Sequence, residues 1–109
     1  MITHKTTQQT VSNEELVCNS FLSQARGLMF RPKQNIIMTF SQEKKICLHM
    51  FFVFYPIDVL LLNRKKEIVE IRRNFKPFTF WKSKEKGKYV LELAFPEEYK
   101  LGDKLEIKF

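Results

Sequence analysis

The stretch Ile46-Cys47-Leu48-His49-Met50-Phe51-Phe52-Val53-Phe54-Tyr55-Pro56-Ile57-Asp58-Val59-Leu60-Leu61-Leu62 is the densest apolar run in the chain, and it holds one carboxylate. A membrane-spanning helix needs about 20 consecutive apolar residues. This run is shorter and contains His49, Pro56 and Asp58, so it reads as two buried strands broken at Tyr55-Pro56. No membrane partner is expected from it. Asp58 is costly to bury among Ile, Val and Leu unless a cation or several N–H donors meet it. His49 and Asp58 are therefore the polar positions around which a site in this segment would form.

Outward from that core the chain reads mostly as strands. Ile36–Phe40 is short and apolar, Gln42–Lys45 is a polar turn, and Asn63–Lys66 is a turn without glycine. Glu67–Arg72 and Tyr89–Phe95 alternate polar with apolar residues, as a strand with one wet face does. Phe75–Trp81 contains Pro77 and is predicted at a sheet edge; Lys82–Lys88 is a charged loop, and Lys104–Phe109 a last strand. Before the core, Glu15–Asn19 is a short strand. Ser20 then caps a helix near residues 20–28, with Phe21, Leu22, Ala25 and Leu28 at helical spacing and Gly27 as its stop. Residues 1–14 form a polar N-terminal arm or a weak edge strand, and residues 15–109 a single domain. The fold class is mainly β: a sandwich or barrel with one short helix.

A chain of 109 residues has room for one core, and 44% hydrophobic residues with eleven phenylalanines argue for a packed globule. The opening residues lack a signal-peptide pattern, so the expected location is cytoplasmic. Cys18 and Cys47 form no CxxC pair, and His4 and His49 lie far apart, so neither a metal site nor a cofactor is expected. Both thiols are expected reduced and buried.

The segments Arg26-Gly27-Leu28-Met29-Phe30-Arg31, His49 to Val59, Tyr89-Val90-Leu91-Glu92-Leu93 and Gly102-Asp103 follow in that order. Together they resemble DUF192, also called UPF0127, particularly its archaeal members. The resemblance covers nearly all of the chain after residue 14, and the pairing of RGLMFR with PIDVL is its specific part. It implies a β-sandwich of jelly-roll type whose short helix is the RGLM segment. It brings no reaction, cofactor or substrate. Three departures stand out. His49, Phe51 and Phe52 replace a tryptophan and an asparagine-threonine pair, Asn63 replaces an aspartate, and Phe95-Pro96-Glu97-Glu98 replaces a glycine turn.

Three constellations carry the chemistry. The first pairs Asp58 with Arg26, and with Arg31 in reserve, because a planar guanidinium meets both carboxylate oxygens. Its plainest role is a clamp fixing the fold. The second is His49, a rim or core residue unless Asp58 comes within hydrogen-bond reach to make an acid–base pair. The third is charge: residues 64–88 hold ten Lys and Arg against three Glu, which accounts for the whole net charge of +7. Phe75, Phe78, Phe80 and Trp81 interleave with those cations, the composition of a single-strand nucleic-acid binder. Arg64, Lys65, Lys66, Arg72 and Arg73 would then contact phosphate, and an exposed Trp81 would stack on a base or sugar. Three functions follow. The leading one is a DUF192-like protein with no assigned catalytic residue that holds a small-molecule ligand in a sandwich pocket (Arg26, Arg31, His49, Asp58, Trp81). The others are a weak nucleic-acid module on residues 64–88 and a small enzyme centred on His49 and Asp58.

Overall fold

The computed structural model describes residues 1–18, 28–29, 31–50 and 52–108. Among these residues eight strands make two sheets: β1 (Ile2–His4), β2 (Thr10–Ser12), β3 (Glu15–Cys18), β4 (Asn35–His49), β5 (Ile57–Leu62), β6 (Ile68–Phe75), β7 (Phe80–Leu93) and β8 (Leu105–Ile107). The small sheet has the order β2-β1-β8 and the large one β3-β4-β7-β5-β6. Among the described strands β3 and β4 pair in parallel and the other neighbouring pairs are antiparallel. The architecture is a mainly-β sandwich, open rather than closed into a barrel. The helix expected near residues 20–28 falls, apart from Leu28, outside the described residues, and no described residue is helical.

Of the two buried strands expected in the apolar run, the first ends at His49, and Cys47, His49, Phe52 and Phe54 are exposed while their alternate neighbours Ile46, Met50, Val53 and Tyr55 turn inward. The second, β5, is buried at all six positions. Strand alternation sends its residues to opposite faces. Ile57, Val59 and Leu61 enter one cluster with Ile36, Met38, Ile46, Met50, Val53, Tyr55, Phe75 and Val90. Leu60 and Leu62 enter a second, with Ile2, Val11, Ile37, Leu91, Leu93, Tyr99 and Leu105. The small sheet covers that second face. Residues 1–14, read as an arm or weak edge, supply β1 and β2; β1 is the central strand of its sheet, and Ile2 is fully buried.

Two expectations are corrected by β4 and β7. The polar turn at 42–45 and the charged loop at 82–88 are strand, and they pair with each other: Lys44 opposite Gly87, Lys45 opposite Lys86. Neither stretch has an apolar face that sequence periodicity could detect. The second concerns His49 and Asp58, which an acid–base pair would bring together: β4 and β5, the strands that carry them, are not neighbours, because β7 lies between them.

The register of β4 and β7 breaks between Thr39 and Lys44 and again between Lys45 and Cys47. Bulges of this kind bend a ribbon. Its outer half brings Ile46, Leu48 and Trp81 onto the same cluster as Ile36 and Val59 of the inner sheet. The Ser83 hydroxyl bridges the bend, accepting from the Ile46 amide at 2.8 Å and donating to the Glu85 carbonyl at 2.8 Å. Glu70 of β6 accepts the Lys84 and Glu85 amides at 2.9 and 2.8 Å, tying the bent ribbon to the edge strand.

Candidate functional site

The bend leaves the ribbon's other face to solvent. Buried Ile46, Ser83 and Gly87 alternate with exposed Lys45, Cys47, His49, Phe80, Lys82 and Lys86. Cross-strand pairs on that outer face are Lys45–Lys86, Cys47–Lys82 and His49–Phe80. Cys47, expected inside, is thus exposed, whereas Cys18 is buried. The Arg64 amide donates to the Glu43 carboxylate at 2.9 Å, which sets the exposed Arg64-Lys65 turn beside Lys44 and Lys45. Lys66 takes the left-handed conformation that closes this glycine-free turn (φ 64°).

At its His49–Phe80 end the ribbon meets a ridge of phenylalanines. Phe52, Phe54, Phe78 and Phe80 are exposed at 46%, 64%, 51% and 73%. Phe78 stands edge-on to Phe52 at 6.2 Å and to Phe54 at 5.7 Å between centroids. Met50 holds the two segments together: its amide donates to the Thr79 carbonyl at 2.7 Å and its carbonyl accepts from the Phe78 amide at 2.8 Å. Phe52 and Phe78 both lie in the left-handed region, at φ 59° and 60°. Bulky side chains avoid that region, at a cost of about 1–3 kcal/mol each. Trp81, the residue expected to stack if exposed, instead turns inward against Phe75, with centroids 6.5 Å apart.

Asp58 is buried and well satisfied. Its Oδ1 accepts from the Asn74 amide at 2.8 Å, and its Oδ2 accepts from the Tyr99 hydroxyl and from Arg73 Nη1 at 3.4 Å. Arg73 Nη2 also donates to the Tyr99 carbonyl at 2.6 Å, and the guanidinium lies 4.6 Å over the Tyr99 ring. Burial first, and the Asp58 hydrogen bond second, push the Tyr99 phenol well above its ordinary range. Arg73, counted among the phosphate contacts, is thus engaged in this clamp. Arg26, expected in its place, lies outside the described residues. Beside the clamp is an open depression of about 480 Å³ whose walls include His4, Arg73, Glu98, Tyr99, Lys100 and Asp103. A second, of about 580 Å³, lies by Ser12, Glu15, Lys33 and Asn35. Both open at the surface, and each takes lining residues from both sheets: Ser12 with Asn35 in the larger, His4 with Arg73 in the smaller.

His49 pairs with Phe80, the first residue of β7, and Asp58 with Leu93, the last. The two do not meet. Arg31 borders the interior: its carbonyl and that of Pro32 accept from the Tyr55 hydroxyl at 3.2 and 3.0 Å. Within electrostatic reach of Tyr55 is Glu92, buried on the first cluster's side of β7 between Ile36 and Val59, where burial lifts its carboxyl to about 7. Among the described residues no group of three or more His, Cys, Asp or Glu is placed to hold a metal ion.

Tyr99, Glu92 and the Phe52–Phe54 pair are functional candidates that emerge only from the fold. For the phenylalanines the sequence carries no periodic signal. In the structure Val53 and Tyr55 go inward and Phe52 and Phe54 outward, although all four are apolar or aromatic and the segment lies outside any strand.

The DUF192 profile, described as an uncharacterized ACR, matches residues 2–107. The chain belongs to the DUF192 family. A UPF0127 protein of Pyrococcus furiosus is 33% identical over 95 residues, with 81% of each chain covered. A UPF0127 protein of Thermococcus sibiricus is 30% identical over 96 residues; the match covers 84% of this chain and spans about 62% of that relative's length. Two crystal structures share the fold. One, from Novosphingobium aromaticivorans and of unknown function, superposes with a TM-score of 0.77 at 19% identity, covering 96% of this chain and 91% of that one. The other, from Sinorhizobium meliloti and described as a candidate transcription regulator, gives 0.76 at 23% identity, covering 84% and 79%. At these identities the likeness is one of fold. Among the described residues, this DUF192 domain has no helix long and apolar enough to cross a membrane.

Proposed function

We propose that this DUF192 domain is a non-catalytic binding module that holds the phosphate backbone of a nucleic acid on the outer face of the β4–β7 ribbon. The observation that carries this reading is the convergence of cations from three separate chain segments. Lys44 and Lys45, Arg64 and Lys65, and Lys82, Lys84 and Lys86 are all exposed and lie along or beside one bent ribbon. Lys45 and Lys86 stand directly opposite each other. Like charges in that position destabilise a sheet by a few tenths to about 1 kcal/mol, and a polyanion relieves the repulsion. Arg72 lies on β6, two residues beyond the Glu70 carboxylate that ties the ribbon down, and is also exposed. Arg73 and Lys88 are engaged within the protein, Arg73 by Asp58 and the Tyr99 carbonyl although its side chain stays exposed, Lys88 by the Phe40 and Ser41 carbonyls.

The small-ligand reading has weaker support. The walls of the depression beside Asp58 mix Arg73 and Lys100 with Glu97, Glu98 and Asp103, so they commit to no ligand charge. An enzyme built on His49 and Asp58 has none, because those side chains sit at opposite ends of β7.

The test is anisotropy of a labelled oligonucleotide titrated from about 50 mM to about 200 mM salt. Affinity should fall linearly on a log–log plot, by roughly 0.7 units of slope per single-strand phosphate contact. Lys82→Ala and Lys86→Ala should each flatten that slope. A protein that binds no oligonucleotide at the low-salt end, or whose binding ignores salt, overturns the proposal.

A further inference from the structure

The phosphate reading leaves the phenylalanine ridge unused, and phosphate contacts alone do not distinguish duplex from single strand. From the ridge we infer that Phe52, Phe54, Phe78 and Phe80 form a stacking platform for unpaired bases, so that the partner is a single-stranded nucleic acid. The inference rests on the proposed function above and gives it a substrate class.

Four features support it. The ridge is contiguous with the cationic ribbon: Phe80 and Lys82 are alternate residues on one face, about 7 Å apart along the strand. A strand laid along that face meets lysines first and aromatic rings next. Exposure is the second feature. Phe80 is 73% and Phe54 64% exposed, although the same segments bury Val53, Tyr55 and Phe75. A cluster of exposed aromatics on a small domain marks a binding surface. Third, Phe52 and Phe78, the left-handed phenylalanines among the described residues, belong to the ridge. Bulky residues held in that conformation cluster at ligand-binding positions, and here they flank the paired Met50 and Thr79 backbones. Fourth is charge. A neutral apolar partner would leave Lys45, Lys82 and Lys86 without counter-charges, whereas duplex DNA or RNA offers phosphates but keeps its base faces stacked. A single strand offers both phosphates and free π-faces, and stacking on aromatic side chains tolerates any base.

The experiment compares one labelled oligonucleotide of about twelve nucleotides, as RNA and as DNA, with its own duplex. Anionic phospholipid vesicles form a third arm. Either single strand should bind at least tenfold tighter than the duplex at equal salt. Phe80→Ala and Phe54→Ala should each weaken single-strand binding by about tenfold, as loss of one stacked base does, and leave the salt slope unchanged. Phe80→Trp should retain binding, which separates stacking from mere packing. Both positions are exposed, and unchanged far-UV circular dichroism would show that the variants fold.

Equal affinity for single strand and duplex, with the phenylalanine variants indistinguishable from the parent, overturns the platform and leaves the phosphate reading standing. Binding to vesicles but to no nucleic acid overturns both.

Discussion

Glu92 carries its carboxyl between Ile36 and Val59 in the first cluster, and burial raises it from an ordinary 4.5 to about 7. The sign of the consequence follows from proton counting. Between pH 4.5 and 7 the unfolded chain has released this proton while the folded chain keeps it, so stability falls as pH rises through that window. Above pH 7 both states are ionised and the loss is complete, on the order of 3 kcal/mol. Glu92→Gln cannot ionise, and its urea midpoint should exceed the parent's at pH 8 and approach it at pH 4.5. Midpoints that shift with pH identically in both proteins would show that Glu92 does not titrate within the fold. Asp58 shows the other way a core accommodates a carboxylate. Its environment in the sequence demanded a cation or N–H donors, and it receives both, from Arg73, Asn74 and Tyr99. The demand was readable because burial of a charge is a local matter of composition. The suppliers were not, because β6 and the 97–103 loop reach Asp58 only through tertiary pairing.

The bent β4–β7 ribbon is the element on which the proposed site depends, and at Gly87 its backbone lies against Leu61 of β5. A Cβ at Gly87 would stand 2.2 Å from Leu61 Cδ1, 2.4 Å from Leu61 Cγ and 3.1 Å from the Leu62 carbonyl oxygen. Leu61 is fully buried and has little room to withdraw. Overpacking of this kind costs about 1–3 kcal/mol, so Gly87→Ala should lower the melting temperature by several degrees. Adding Leu61→Ala should recover part of the loss, a coupling that a double-mutant cycle measures. Additive losses would mean that the two positions do not press on each other. The legibility of the strands follows the same physics. β5, β3 and most of β6 were visible because their apolar residues alternate or run together. The outer ribbon was not, since residues 41–45 are exposed throughout and 82–88 bury only Ser83 and Gly87. Their strand character comes from each other and from Glu70, partners far away in sequence. Cations that read as a turn and a loop therefore became one surface, and the candidate site was legible in composition but not in location.

At the scale of the molecule, the sandwich closes only because residues from both ends of the chain meet. β1 pairs with β2 on one side and β8 on the other, bringing Ile2 opposite Ser12 and Ile107. Ile2 and Val11 are essentially buried in the second cluster, against Leu60, Leu62, Leu91 and Leu93 of the large sheet. A short sheet with polar stretches at Lys5–Gln9 has little propensity of its own, and its stability comes from the face it covers. Burial of each such aliphatic side chain contributes about 1.5–3 kcal/mol, against a total stability for small domains of about 5–15 kcal/mol. Removal of residues 1–14 deletes the central strand, strands β8 without a neighbour, and opens the face containing Leu60 and Leu91 to water. A chain beginning at Glu15 should therefore lose cooperative urea unfolding and bind a hydrophobic dye, while Ile2→Val should unfold cooperatively with a midpoint only slightly reduced. The terminal segment has the composition of a dispensable arm, so the two accounts part on one measurement. If the shortened chain unfolded cooperatively at the parent's midpoint, the large sheet would be self-sufficient, and the small sheet would be an addition to the sandwich instead of one of its two layers.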